Sequence, residues 1–274
     1  MTGSVLVRLL EAARLDQKHR SVLPAERKLQ RALRSTWARQ GRAVQSALRS
    51  NRPAGYTKVA LTEALDPGDE RIANAVREDV ALVGRLEVLL VEVLARGAAE
   101  SGRELSVTIG ADFAGADPGA LAWLAERAGA RVAGIDEVTR AYVRTILTDA
   151  GIGGWSYQRT SKALRERFAG FSAKQPQKHL RNRGEMIAVT EIGEAYEHGG
   201  RLVAKQLQGE GLDIEKQWLV AGDARVCPIC APAGTQGWID ENTAFSNGFD
   251  GPLGHPGCRC ATARRVRDDD DEGE

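Results

Sequence analysis

All four cysteines of this 274-residue chain lie between positions 227 and 260. Cys227-Pro228-Ile229-Cys230 is a C-x2-C pair, and the turn set by Pro228 can bring both thiolates onto one cation. After a glycine-rich stretch, His255, Cys258 and Cys260 add an H-x2-C-x-C group. Five donors exceed the four that tetrahedral zinc takes, so one of His255, Cys258 and Cys260 is spare, and the spacing leaves open which. Gly234, Gly237, Gly248, Gly251 and Gly254 leave this segment little apolar core, so thiolate-zinc bonds are expected to supply its order. The expected cofactor is therefore a structural zinc ion. A cysteine-rich set with enough ligands keeps no open position for a reactive water, and no catalytic residue is assigned. The competing readings are packed, metal-free thiols and redox or catalytic use. His19, His179 and His198 have no such company and read as ordinary surface or core histidines.

The elements that must hold this cluster read as mostly helical. Apolar residues make up 42%, charged residues 27% and aromatics only 5%, values that exclude wholesale disorder and disfavour an all-β sandwich. Val5, Leu9, Ala12 and Ala13, then Leu29, Ala32, Leu33, Thr36 and Trp37, recur at helical steps, with Pro24 expected to separate two helices. Asn51 to Gly55 is a breaker cluster, and Asp66-Pro67 has the form of a helix start. Val76, Val80, Val83, Leu86, Leu90, Val93 and Leu94 predict a long amphipathic helix up to Gly97, and Leu105 to Ile109 reads as a short strand or a connector. Asp117-Pro118 repeats the cap-plus-proline signature before a helix through Leu147. Gly151-Ile152-Gly153-Gly154 ends that helix as a turn; without a preceding strand or a Lys-Ser/Thr pair it is no phosphate loop. Ser156 caps the next helix, and Met186, Ile187, Val189, Ile192 and Tyr196 mark another. The expected fold is mainly α: a helical body with a small C-terminal α+β module, stapled by the Cys/His cluster, and a disordered acidic tail.

Charge is balanced overall, 38 Lys plus Arg against 37 Asp plus Glu, but unevenly distributed. Residues 1 to 58 carry a net +10 and residues 59 to 112 a net −6, so the two segments are expected to pair. A second basic block, net +7, runs from Arg159 to Arg183, and Asp268 to Glu274 contains six acids. Such blocks suit phosphate backbones through counterion release, or acidic faces of a protein partner. Arg27, Lys28, Arg31, Arg34, Arg159, Lys162, Arg165 and Arg167 are the candidate contacts. Trp37 is the sole aromatic of the first 55 residues, which argues against a single-strand stacking platform. Val80 to Ala95 is too short and too charged to span a bilayer, so no membrane partner is expected. The opening residues MTGSVLVRLLEAARL lack the layout of a secretory leader, which places the chain in a cytoplasm, where cysteines serve as metal ligands rather than disulfides.

Arg183, Glu185, Met186, Ile187, Ala188, Thr190 and Glu191, then Trp218, Asp223, Arg225, Val226, Cys227, Pro228 and Cys230, and finally His255, Pro256, Cys258, Arg259 and Cys260, form a combined pattern. It resembles that of the minor head, or head morphogenesis, proteins of tailed bacteriophages, the phage Mu protein F-like family. The likeness covers roughly 113 to 266. Val189 departs from the arginine common before Thr-Glu, and Gly251-Pro252-Leu253-Gly254 from the usual proline-rich approach to the histidine. The resemblance divides the chain into a helical N-terminal region (1–112), a family-like domain (113–267) with its knuckle at 218–266, and the acidic tail (268–274). It implies a structural, non-enzymatic minor capsid protein made in the host cytoplasm and carried in the virion, inside the head or near the portal. Its implied partners are the portal protein and capsid or scaffolding subunits, with double-stranded DNA a further candidate during packaging or ejection. Asp223 and Arg225 would brace the knuckle and Trp218 would pack beneath it. The alternatives are a free-standing zinc-stapled DNA-binding protein and, less favoured, a metal-dependent hydrolase or nuclease using His255, Asp223, Thr190 and Glu191.

Overall fold

One 49-residue helix, α1 (Thr2–Ser50), opens the chain in the computed structural model, which describes residues 2–50, 70–77, 79–105, 117–171, 182–220 and 226–267. Pro24 does not divide α1 but lies inside it. A proline removes one helical hydrogen bond, and burial of both flanking turns outweighs that loss. Val22, Ala25, Leu29, Leu33 and Trp37 all pack into the core, while Pro24 faces outward. The expected stripe is displaced further upstream. Ala12 and Ala13 are exposed, and the buried positions are Lys18 and Arg14, one and two turns before Val22.

After the short α2 (Glu70–Ala73), α3 (Val80–Glu104) begins where the Asp79 carboxylate accepts the Leu82 N–H. Leu86, Leu90, Val93 and Leu94 are buried as their spacing predicts, but Val80 is exposed. Gly97 does not stop the helix. It is instead a contact point with α6 (Arg183–Gly209): a Cβ there would lie 2.0 Å from the Tyr196 carbonyl oxygen, and one on Gly199 would lie 2.1 Å from that of Leu94. The missing side chains let the two helix backbones touch, and this pair forms the centre of the body.

Helix α4 (Pro118–Ile152) starts as expected, with Asp117 accepting the Ala120 N–H at 2.7 Å, and ends before Gly153. Ser156 caps α5 (Tyr157–Gly170), and Asn182 caps α6 through the Glu185 N–H at 2.9 Å. Side chains from α1, α3, α4 and α6 share one core, among them Leu29, Leu90, Leu124 and Ile192, so residues before and after position 112 are packed together. The remaining elements are β1 (Ile214–Leu219), the single turn α7 (Ala231–Gly234), β2 (Ile239–Asp240) and β3 (Ala261–Val266). They form an antiparallel sheet in the order β2-β1-β3, with Leu219 opposite Ala261 and Ile214 opposite Val266. The fold is thus mainly helical with a small α+β module, as expected. Among the described residues, no helix is long and apolar enough to cross a membrane. The Asp66-Pro67 helix start, residues 106 to 109 of the proposed strand, and the acidic run 268–274 lie outside the described residues.

The basic and acidic segments pair as their composition suggests. Arg14 Nε meets Glu104 at 2.7 Å, Lys28 meets Glu92 at 3.5 Å, and Arg39 meets Asp79. The helix crossing generates a pair of opposite expectations. Gly199→Ala should lose about 1–3 kcal/mol by overpacking against the Leu94 backbone. Gly134→Ala, exposed within α4 where an added Cβ meets nothing, should gain about 0.5–1 kcal/mol of helix propensity. Urea unfolding of both variants checks the signs, and equal shifts would contradict the close crossing.

Candidate metal centre

Two turns and the approach to β3 deliver the five donors. In the first, Cys230 and Ala231 donate their N–H groups to the Cys227 carbonyl, both at 3.1 Å, and the Cys230 N–H also lies 3.4 Å from the Cys227 sulfur. An N–H directed at sulfur favours the thiolate that a metal requires. In the second, Cys258 N–H closes onto the His255 carbonyl at 3.2 Å, with Gly257 at φ +75°, a conformation that favours glycine. The chain then enters β3, and Cys260 sits immediately before its first residue.

The turns face each other across the module. Cys227 Sγ lies 3.0 Å from His255 Nε2, and Cys230 Sγ lies 3.7 Å from Cys258 Sγ. Two sets of donors each fit within 4.8 Å: Cys227, Cys230 and His255, and Cys230, Cys258 and Cys260. Cys230 belongs to both, so the two sets adjoin and between them include all five sequence-predicted donors. His255 Nδ1 lies 2.9 Å from the Pro256 carbonyl; donating a proton there leaves Nε2 bare toward Cys227. Hydrogen bonds from Cys230 and Cys260 hold Cys258 down toward thiolate, to about 3, whereas bonding to Cys258 and Cys260 pushes Cys230 far up. Crowded sulfurs share protons in this way until a cation takes their place.

Trp218 packs against the cluster as expected, with Cys230, Cys258, Cys260 and Phe245 around it and the Phe245 ring edge-on at 5.3 Å. Asp223 and Arg225 lie outside the described residues. The Thr-Glu pair has two separate contacts. The Thr190 hydroxyl accepts the Gly257 N–H at 2.8 Å, tying the His255 turn to α6, while Glu191 faces Arg127 and Arg131, both at 3.3 Å. Arg183 is buried under Trp37 and Phe171, its guanidinium 5.0 and 4.9 Å from their ring centres, with Thr139 and the Ile135 carbonyl accepting its N–H groups. Of the other histidines, His19 is exposed; His198 stacks on Trp123 at 4.6 Å, and burial drops its pKa to about 4; His179 is outside the described residues.

The residues missed by sequence reasoning are those that lock this module to the body. Lys18 donates to Glu197 at 2.7 Å and to the Cys260 carbonyl, so a helix more than 200 positions upstream grips the last cysteine turn. Burial opposes ionisation of Glu197, but Lys18 and Arg264 outweigh it and keep its pKa low. Arg264 also meets Glu241 at 3.1 Å in the interior, and Glu100 accepts from Ser21 and Tyr196. Extending the buried stripe of α1 backward from Val22 in helical steps would have found Lys18 and Arg14.

The basic candidates divide. Lys28 pairs with Glu92, Lys162 with Glu166 at 3.8 Å, Arg159 covers Trp155 at 4.1 Å and Arg167 covers Tyr142 at 4.5 Å. Arg31 borders a shallow groove with Lys28 and Arg85. Arg27 lines a cavity between α1 and α6 that reaches Cys258, and Arg34 and Arg165 come together on a second groove, between α1 and α5. Trp37 is buried and offers no stacking surface.

Thr190→Val should cost about 1–3 kcal/mol, because it removes the hydroxyl that accepts the Gly257 N–H, and the loss should appear in thermal melting of the whole chain. Unchanged melting would mean that α6 does not hold the turn. Among known proteins, neither the curated sequences nor the solved structures contain a match to the chain. The family described as Phage Mu protein F like protein does match, over residues 141–263. That stretch runs from the middle of α4 through both cysteine turns into β3, and over it the chain is similar to the phage Mu protein F-like family.

Proposed function

We propose that the chain is a structural head morphogenesis protein of a tailed bacteriophage, assembled in the host cytoplasm and retained in the virion. The observation that carries this reading is the coincidence of the family match with the donor cluster: residues 141–263 contain every one of the five donors. The portal and the capsid or scaffolding subunits are its partners. Residues 1–112 extend the family-like part with a long basic helix suited to such a contact, or to packaged DNA.

Zinc suits the donors. With Zn–S bonds of about 2.3 Å, two sulfurs of a tetrahedral site stand roughly 3.8 Å apart, close to the 3.7 Å between Cys230 and Cys258. Cys227, Cys230, His255 and Cys258 would hold the ion, and Cys260, which does not share a donor set with Cys227 and His255, would be the spare. The ion would supply cross-linking of two loops, which is a mechanical role. The hydroxyl and carboxylate of a hydrolytic reading have other work: Thr190 holds a backbone N–H and Glu191 faces two arginines.

Metal analysis of the purified chain and its single alanine variants tests the centre. One zinc per chain is expected, lost in Cys258→Ala and His255→Ala and kept in Cys260→Ala; a metal-free wild type would end the zinc proposal. Fractionated heads test the biological role. The protein should co-purify with portal-containing proheads, and its absence from them would refute the assignment.

A further inference from the structure

Helices α1 and α5 leave between them a groove of about 560 Å³. Arg34, Arg42, Arg49 and Arg165 rim it, and Ala38 and Phe168 are part of its floor. All four arginines are exposed, and among the described residues no carboxylate pairs with any of them. On α1 they stand on one side of about four turns, so the charge forms a strip roughly 22 Å long. Exposed arginines beside small apolar residues suit a narrow chain bearing carboxylates.

The chain itself carries such a segment, six acids within Asp268 to Glu274. It cannot reach its own groove. Cys260 meets Lys18, and Gln217, the register partner of Ala263, meets Glu11 at 3.2 Å, so β3 runs antiparallel to α1 toward the helix start. Arg267 therefore lies at the level of Glu11 or beyond it. From Glu11 the groove begins about 35 Å along the helix at Arg34 and continues to Arg42 at about 46 Å. Seven extended residues span about 25 Å.

We propose that the acidic segment 268–274 of one copy docks in the arginine groove of a second copy, between α1 and α5. The contact is heterologous: groove and segment are different surfaces, each copy offers both, and repeated docking builds a ring or an open chain of subunits. Carboxylate–guanidinium pairs at an exposed rim make it salt-dependent.

The test uses the full chain, its truncation after Arg267, an Arg42→Glu/Arg49→Glu variant, and a variant with Asp268 to Asp271 changed to lysine. Sedimentation should show association of the full chain at micromolar concentration, weakened about tenfold or more in each of the three variants. Mixing the groove variant with the lysine variant should restore it, because the reversed charges match again. A labelled peptide of residues 268–274 should bind the truncated chain and bind the groove variant at least tenfold more weakly. An association state unaffected by removal of the segment would overturn the proposal. So would a groove that binds duplex DNA and ignores the peptide, which would make its occupant a phosphate backbone.

Discussion

Thiolates do not crowd together without a reason. Within the module four sulfurs and an imidazole nitrogen form two overlapping sets, each packed inside 4.8 Å, and ionising several of them at once is costly until a cation neutralises the set. The backbone supports the donors: N–H groups close both turns, one of them is aimed at a sulfur, and His255 Nε2 faces Cys227. The described loops between β1 and β3 are also tied by Lys216 to the Asp250 carbonyl, Asn247 to the Ile229 carbonyl and Arg264 to Glu241. Their apolar centre is Trp218 and Phe245, with the cysteines themselves completing the packing.

The module is tied to the body through a few buried polar contacts. Thr190 on α6 holds the histidine turn, and Lys18 on α1 bridges Glu197 and the Cys260 carbonyl. Such groups are destabilising if separated, since each would be left as an uncompensated charge or donor in the interior. They fix how the module sits rather than adding much net stability. The close crossing of α3 and α6, set by Gly97 and Gly199, determines where Glu100, Tyr196 and Glu197 emerge, and so where α1 must lie to satisfy them. Helix packing and the donor cluster are two ends of one arrangement.

Much of this was legible in the residue order. Cap signatures at Asp117-Pro118 and Ser156, the stripe Leu86 to Leu94, and the spacing of the five donors each reflect a local rule that tertiary context left intact. The failures share a cause. Pro24 reads as a break and Gly97 as a stop only where the helix stands alone; packing on both sides of Pro24, and a backbone neighbour at Gly97, reverse those meanings. Arg14 and Lys18 read only as members of a basic block, because their individual partners, Glu100, Glu104 and Glu197, are remote in sequence. Long-range ion pairs leave a trace only in the continuity of the buried stripe, where a charge occupies a position that periodicity reserves for the interior.

The most direct measurement of the central claim is X-ray absorption at the zinc edge on the purified chain. Three sulfurs at about 2.3 Å and one nitrogen at about 2.0 Å are expected from Cys227, Cys230, Cys258 and His255. Four sulfurs with no nitrogen, or zinc surrounded by oxygen alone, would contradict the account.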